Sequence, residues 1–202
     1  MEFLEFAHAW KNLASEEVVT LTGEPPTALK ILQFDYDEDR PAHRMLFGTR
    51  DGHVPEIDEV EILEVPRRSA GDVLEHVLHK LHLSPLLVFP IGKWRNIFEV
   101  VSPVLLENAS WMEIDTSATI ELNTRDPLHF DLRELHTLTA VTNAILEHGE
   151  TLEQGFSVTT TSAPVLVEID PSCGVLITLG NESLAAEVRA VAEQVISGSD
   201  SN

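Results

Sequence analysis

A chain of 202 residues with 34 acidic and 13 basic side chains carries a formal charge of −21 at neutral pH. Such a field repels phosphate backbones and anionic bilayers, so neither nucleic acid nor a membrane surface is an expected partner. The hydrophobic fraction of 43% and the charged fraction of 23% are those of a globular protein, and the single cysteine, Cys173, excludes an internal disulfide framework.

Residues 2–13 are predicted as a short amphipathic helix, with Phe3, Phe6, Ala7, Trp10 and Leu13 on one face. The opening Met1 to Phe6 carries acids where a signal peptide wants bases, and no apolar run approaches the ~20 residues of a membrane span. The cytoplasm is therefore the expected location. A strand over 16–22 ends at Gly23-Glu24-Pro25-Pro26, and further strands are expected at 28–34 and 43–49. Between these two lies the acidic loop Asp35-Tyr36-Asp37-Glu38-Asp39, and Asp51-Gly52 is a tight-turn signal. Residues 57–65 alternate in part, Val60 and Ile62 inward and Glu59 and Glu61 outward, with Leu63 breaking the pattern as a bulge would.

A helix over 70–82 follows, with Ser69 and Asp72 as a start resembling a capping box and Val73, Leu74, Val77, Leu78 and Leu81 as its apolar stripe. Leu86 to Phe89 is a buried strand. Trp94, Ile97, Phe98 and Val101 have helical spacing, and Pro103 would end that helix. Residues 111–115 and 118–123 alternate like a hairpin. Asp131 and Glu134 form a capping box for the next helix, and Gly149 stops it. Strands at 156–161, 164–169 and 175–179 precede a final helix over 182–196 and a frayed tail from 198. Glu113-Ile114-Asp115-x-Ser117 recurs as Glu168-Ile169-Asp170-x-Ser172, an echo that a duplicated ββα unit would leave. The fold class is α+β: a mostly antiparallel sheet with amphipathic helices on one face. It is expected as one domain over 1–202, with two ββα-like halves, 1–107 and 108–198, as the alternative division.

Four constellations bear on function. His76 and His79 are three apart with Glu75 before them, whereas a zinc-binding helix needs H-E-x-x-H. On a helical wheel both face solvent, so no metal is expected there. Asp35, Asp37 and Asp39 alternate like the start of a calcium loop, but Arg40 and Leu46 stand where such a loop needs Gly and Glu. Cys173 has no cation beside it in sequence to activate a thiolate, and no G-x-S-x-G elbow accompanies the serines. The fourth is Gly92-Lys93-Trp94-Arg95, two cations around an aromatic in a chain poor in positive charge. Trp and Arg are favoured at the centres of interfaces, and the competing structural role is a core Trp94 with its neighbours in solvent.

No motif fixes a reaction or a cofactor. The expected function is a non-enzymatic interaction or regulatory domain, with Lys93, Trp94 and Arg95 as the candidate contact residues and a protein or a second copy as the partner. The alternative is an enzyme that uses Asp, Glu and His side chains in a cleft between sheet and helices.

Overall fold

A computed structural model describes residues 1–9, 30–35, 44–49, 61–163, 165–180 and 182–199. In chain order these form β1 (Glu2–Phe3), a helix α1 described over residues 6–9, the antiparallel pair β2 (Lys30–Asp35) and β3 (Arg44–Thr49), β4 (Glu61–Val65) and α2 (Ala70–Lys80). Then come β5 (Leu86–Pro90), α3 (Trp94–Val101), α4 (Ala109–Ser117), β6 (Leu128–Phe130) and α5 (Leu135–His148). The chain closes with β7 (Phe156–Thr160), β8 (Val165–Asp170), β9 (Gly174–Leu179) and α6 (Glu182–Ser199). Seven strands make one antiparallel sheet in the order β1-β6-β5-β7-β8-β9-β4. Strands from either side of residue 107 interleave in it, β5 lying between β6 and β7. The architecture is α+β.

Register sorts the side chains of this sheet onto two faces, because neighbours along a strand point opposite ways. Val88 pairs with both Leu128 and Val158, Val158 with Val167, Val167 with Ile177, and Ile177 with Leu63. That row is apolar from edge to edge, and it shares one core with Leu74 and Leu78 of α2, Ile145 of α5 and Val188 of α6. Burying such side chains contributes about 1.5–3 kcal/mol each, which is what holds helices to sheet. The opposite face carries Leu87, Phe89, Ser157, Thr159 and Leu166, all buried too. On it the Phe6 ring of α1 meets Phe89 edge-on at 6.0 Å. Strands covered on both sides read as continuous apolar runs, and the run Leu86–Phe89 has that cause.

The helix signals act where the sequence puts them, with one exception. Glu134 Oε2 accepts from the Asp131 backbone N–H at 2.8 Å, completing the capping box of a 3-10 turn, Leu132–Glu134, that leads directly into α5, and Gly149 caps the end of α5. Asn108, not singled out from sequence, caps α4 by accepting from the Trp111 N–H at 3.0 Å. The exception is α2: Ser69 makes no side-chain cap, and its hydroxyl donates back to the Pro66 carbonyl at 3.3 Å.

Several expectations are corrected. The N-terminal residues begin as strand, with Phe3 paired to Leu128, before α1 starts. Residues 111–115 are not a strand: they lie in α4, and 121–123 form a single 3-10 turn. Trp111 and Ile114 are the buried residues of α4, a spacing of three that fits a helix as well as it fits loose alternation. The Glu-Ile-Asp-x-Ser echo therefore falls in helix at 113–117 and at the end of β8 at 168–170, so it is not a structural repeat. Leu63 is no bulge, since β4 pairs with β9 in unbroken register from Glu61 to Val65. Helix α6 continues through Gly198 to Ser199 instead of fraying at 198. The expected strand at 16–22, the turn at 51–52 and residues 57–60 lie outside the described residues.

Candidate functional site

The Gly92-Lys93-Trp94-Arg95 segment joins the end of β5 to α3. The Ile91 N–H donates to the Gly155 carbonyl at 3.0 Å, so the chain leaves the sheet in close contact with the segment before β7. A Cβ on Gly92 would lie 2.5 Å from the Glu153 carbonyl oxygen, which is why glycine stands there. Lys93 is the N-cap, with extended backbone and no side-chain cap. Trp94, Ile97, Phe98 and Val101 then fall at i, i+3, i+4 and i+7 and are all buried.

The motif therefore splits into two parts. Trp94 is 1% exposed; its indole N–H donates to the Asp126 carbonyl at 2.7 Å, and its ring packs edge-on against Phe3 and Phe98 at 5.5 and 6.1 Å. The ring is in the core, not on a contact surface. Lys93 and Arg95 are both exposed. Nearby, the Asn96 amide donates to Glu153 Oε2 at 3.4 Å, which ties the first turn of α3 to the segment before β7.

Two concave regions lie elsewhere. The first, about 550 Å3, opens where β4 and β8 end and β9 begins, and is lined by Glu64, Arg67, Glu168, Asp170 and Cys173. Its centre is the turn from β8 to β9. Asp170 is buried, and its Oδ1 accepts from the Ser172 backbone N–H at 2.8 Å and from the Ser172 hydroxyl at 2.7 Å. Burial pushes the Asp170 pKa up, but the hydrogen bonds from Ser172 and Cys173 outweigh it, so the carboxyl titrates below its ordinary value. Gly174 takes φ +108°, a conformation that side chains rarely adopt, and closes the turn. Arg67 donates through Nη2 to the Leu146 carbonyl near the C-terminus of α5, a favourable place for a cation. Cys173 is exposed, with its sulfur 3.5 Å from the Ser172 hydroxyl.

The second region is an open groove of about 820 Å3 between α2 and α6, lined by Asp72, Glu75, His76, His79, Lys80 and Gln194. His76 and His79 are exposed, as the helical wheel requires. Nδ1 of His76 lies 2.8 Å from the Asp72 carbonyl, and Glu75 accepts from the Thr139 hydroxyl at 2.7 Å, joining α2 to α5. No group of three metal-ligating side chains comes together among the described residues. Of the acidic loop, Asp35 ends β2, and Asp37 and Asp39 lie outside the described residues.

Compared with known proteins, the chain matches no family model, and no curated protein or solved structure shows significant similarity to it. What can be said of function rests on the surface itself. No helix among the described residues is long and apolar enough to cross a membrane. Sequence inspection passed over three exposed apolar side chains, Val104, Leu106 and Ile120, at 45%, 66% and 75% exposure. They flank α4. The hairpin expected over 111–123 hid Ile120, because its alternation gave no reason to treat that residue as exposed, while Val104 and Leu106 follow Pro103, beyond the helical pattern of α3.

Proposed function

We propose that this protein is a non-enzymatic interaction or regulatory domain of the cytoplasm. Its partner is an acidic protein surface, the nearest instance being a second copy of the chain, and it docks on Lys93 and Arg95. The observation that carries this reading is that both cations are exposed while Trp94 between them is buried and hydrogen-bonded. The buried Trp94 thus anchors the backbone from which two positive side chains project at the start of α3 in a chain of net charge −21. An ordered backbone spares the interface the entropy of ordering that segment, leaving only the two side chains to be fixed on contact. The exposed Val104 and Leu106 follow the other end of the same eight-residue helix, about 12 Å away along its axis. Apolar contacts at one end and charged contacts at the other are the ingredients of an interface core and rim.

Two of the groups lining the cleft at the β8–β9 turn support the same reading. Asp170 is spent on its own turn and Arg67 on the end of α5, so both stabilise the fold rather than waiting for a substrate. One observation favours the alternative, an enzyme working through Asp, Glu and His: the groove that gathers Asp72, Glu75, His76 and His79. It lies between two helices and is open, whereas acid–base chemistry gains most from a site that excludes water. Sedimentation of the wild-type protein and of a Lys93→Glu, Arg95→Glu variant tests the interaction reading.

A further inference from the structure

We draw no further inference here: the strongest candidate, the cleft at the turn between β8 and β9 lined by Arg67, Asp170 and the exposed Cys173, rests on a lone cysteine beside a carboxylate already bonded to Ser172, and nothing in the structure points to a ligand for it.

Discussion

The indole N–H of Trp94 meets the backbone carbonyl of Asp126 at 2.7 Å, tying the first turn of α3 to the segment that leads into β6. The ring is enclosed by Phe3 and Phe98, so it joins β1, α3 and the approach to β6 at one point. Replacing Trp94 with Ala would remove a fully buried aromatic and should cost about 3–5 kcal/mol. Trp94→Phe keeps much of the volume but leaves the Asp126 carbonyl without its donor, for a loss of about 1–3 kcal/mol. Urea denaturation of both variants measures this. A loss below about 1 kcal/mol for Trp94→Ala would mean that the ring is not a core element.

The exposed His76 and His79 of α2 should matter little to stability, in contrast to His82 just beyond the helix. His76→Ala with His79→Ala removes two exposed side chains, and the melting free energy should change by no more than about 0.5 kcal/mol per site. His82 is a special case. It sits just past α2 at φ +51°, with its N–H donating to the His79 carbonyl at 3.2 Å and the Leu83 N–H to the Leu78 carbonyl at 3.0 Å. That is the Schellman arrangement, which favours glycine at the position His82 occupies. His82→Gly should therefore raise stability by about 0.5–1 kcal/mol, after the greater freedom of glycine in the unfolded chain is counted. A destabilised His82→Gly protein would show that the histidine ring makes contacts worth more than the backbone relief.

Asp170 gives the fold a defined response to acid. Its folded pKa lies below that of an unfolded Asp, about 3.9. Stability from this group is therefore fully present above that value and is lost as pH falls through the lower folded pKa. Denaturation midpoints for wild type should hold steady above about pH 5 and fall below about pH 4, and Asp170→Asn should flatten part of that fall. If the variant reproduces the wild-type slope throughout, the Ser172 bonds do not favour the charged carboxyl.

Much of this fold is legible in the sequence because local and global signals agree. Asp131 and Glu134 announce α5 through a cap that needs only four residues to form, and the helical spacing of Trp94, Ile97, Phe98 and Val101 fixes the buried face of α3. Residues 111–123 mislead because α4 is short and only weakly amphipathic, so Trp111 and Ile114 can be fitted to either period. Phe3 misleads for a related reason. It fits a helical stripe with Phe6, but the sheet edge claims it first through Leu128, a partner 125 positions away that no local window contains. For the site, sequence isolates Lys93, Trp94 and Arg95 as an unusual cluster. Which of them reach solvent depends on where β5 ends and α3 begins, and the close approach of Gly92 to Glu153 decides that.

The same charge balance makes a clear statement about nucleic acid. With a net charge of −21, duplex DNA should show no binding at physiological salt, because phosphate neutralisation supplies most non-specific affinity. Fluorescence anisotropy with a labelled duplex measures this; sub-micromolar binding that weakens with salt would show that the basic residues converge into a phosphate-binding surface.

The most direct test of the interaction reading is sedimentation velocity across a concentration series, on wild type and on Lys93→Glu, Arg95→Glu. Two copies of so acidic a chain repel at long range, but at ~0.15 M salt the Debye length shortens to about 8 Å, and contacts between Lys93 or Arg95 and a neighbour's carboxylates persist. Wild type should therefore associate at that ionic strength, and charge reversal should weaken association at least tenfold while the denaturation midpoint stays unchanged, since both side chains are exposed. A wild-type protein that stays monomeric at every concentration, or a variant that associates as strongly as wild type, would contradict the assignment of Lys93 and Arg95 to a self-association surface.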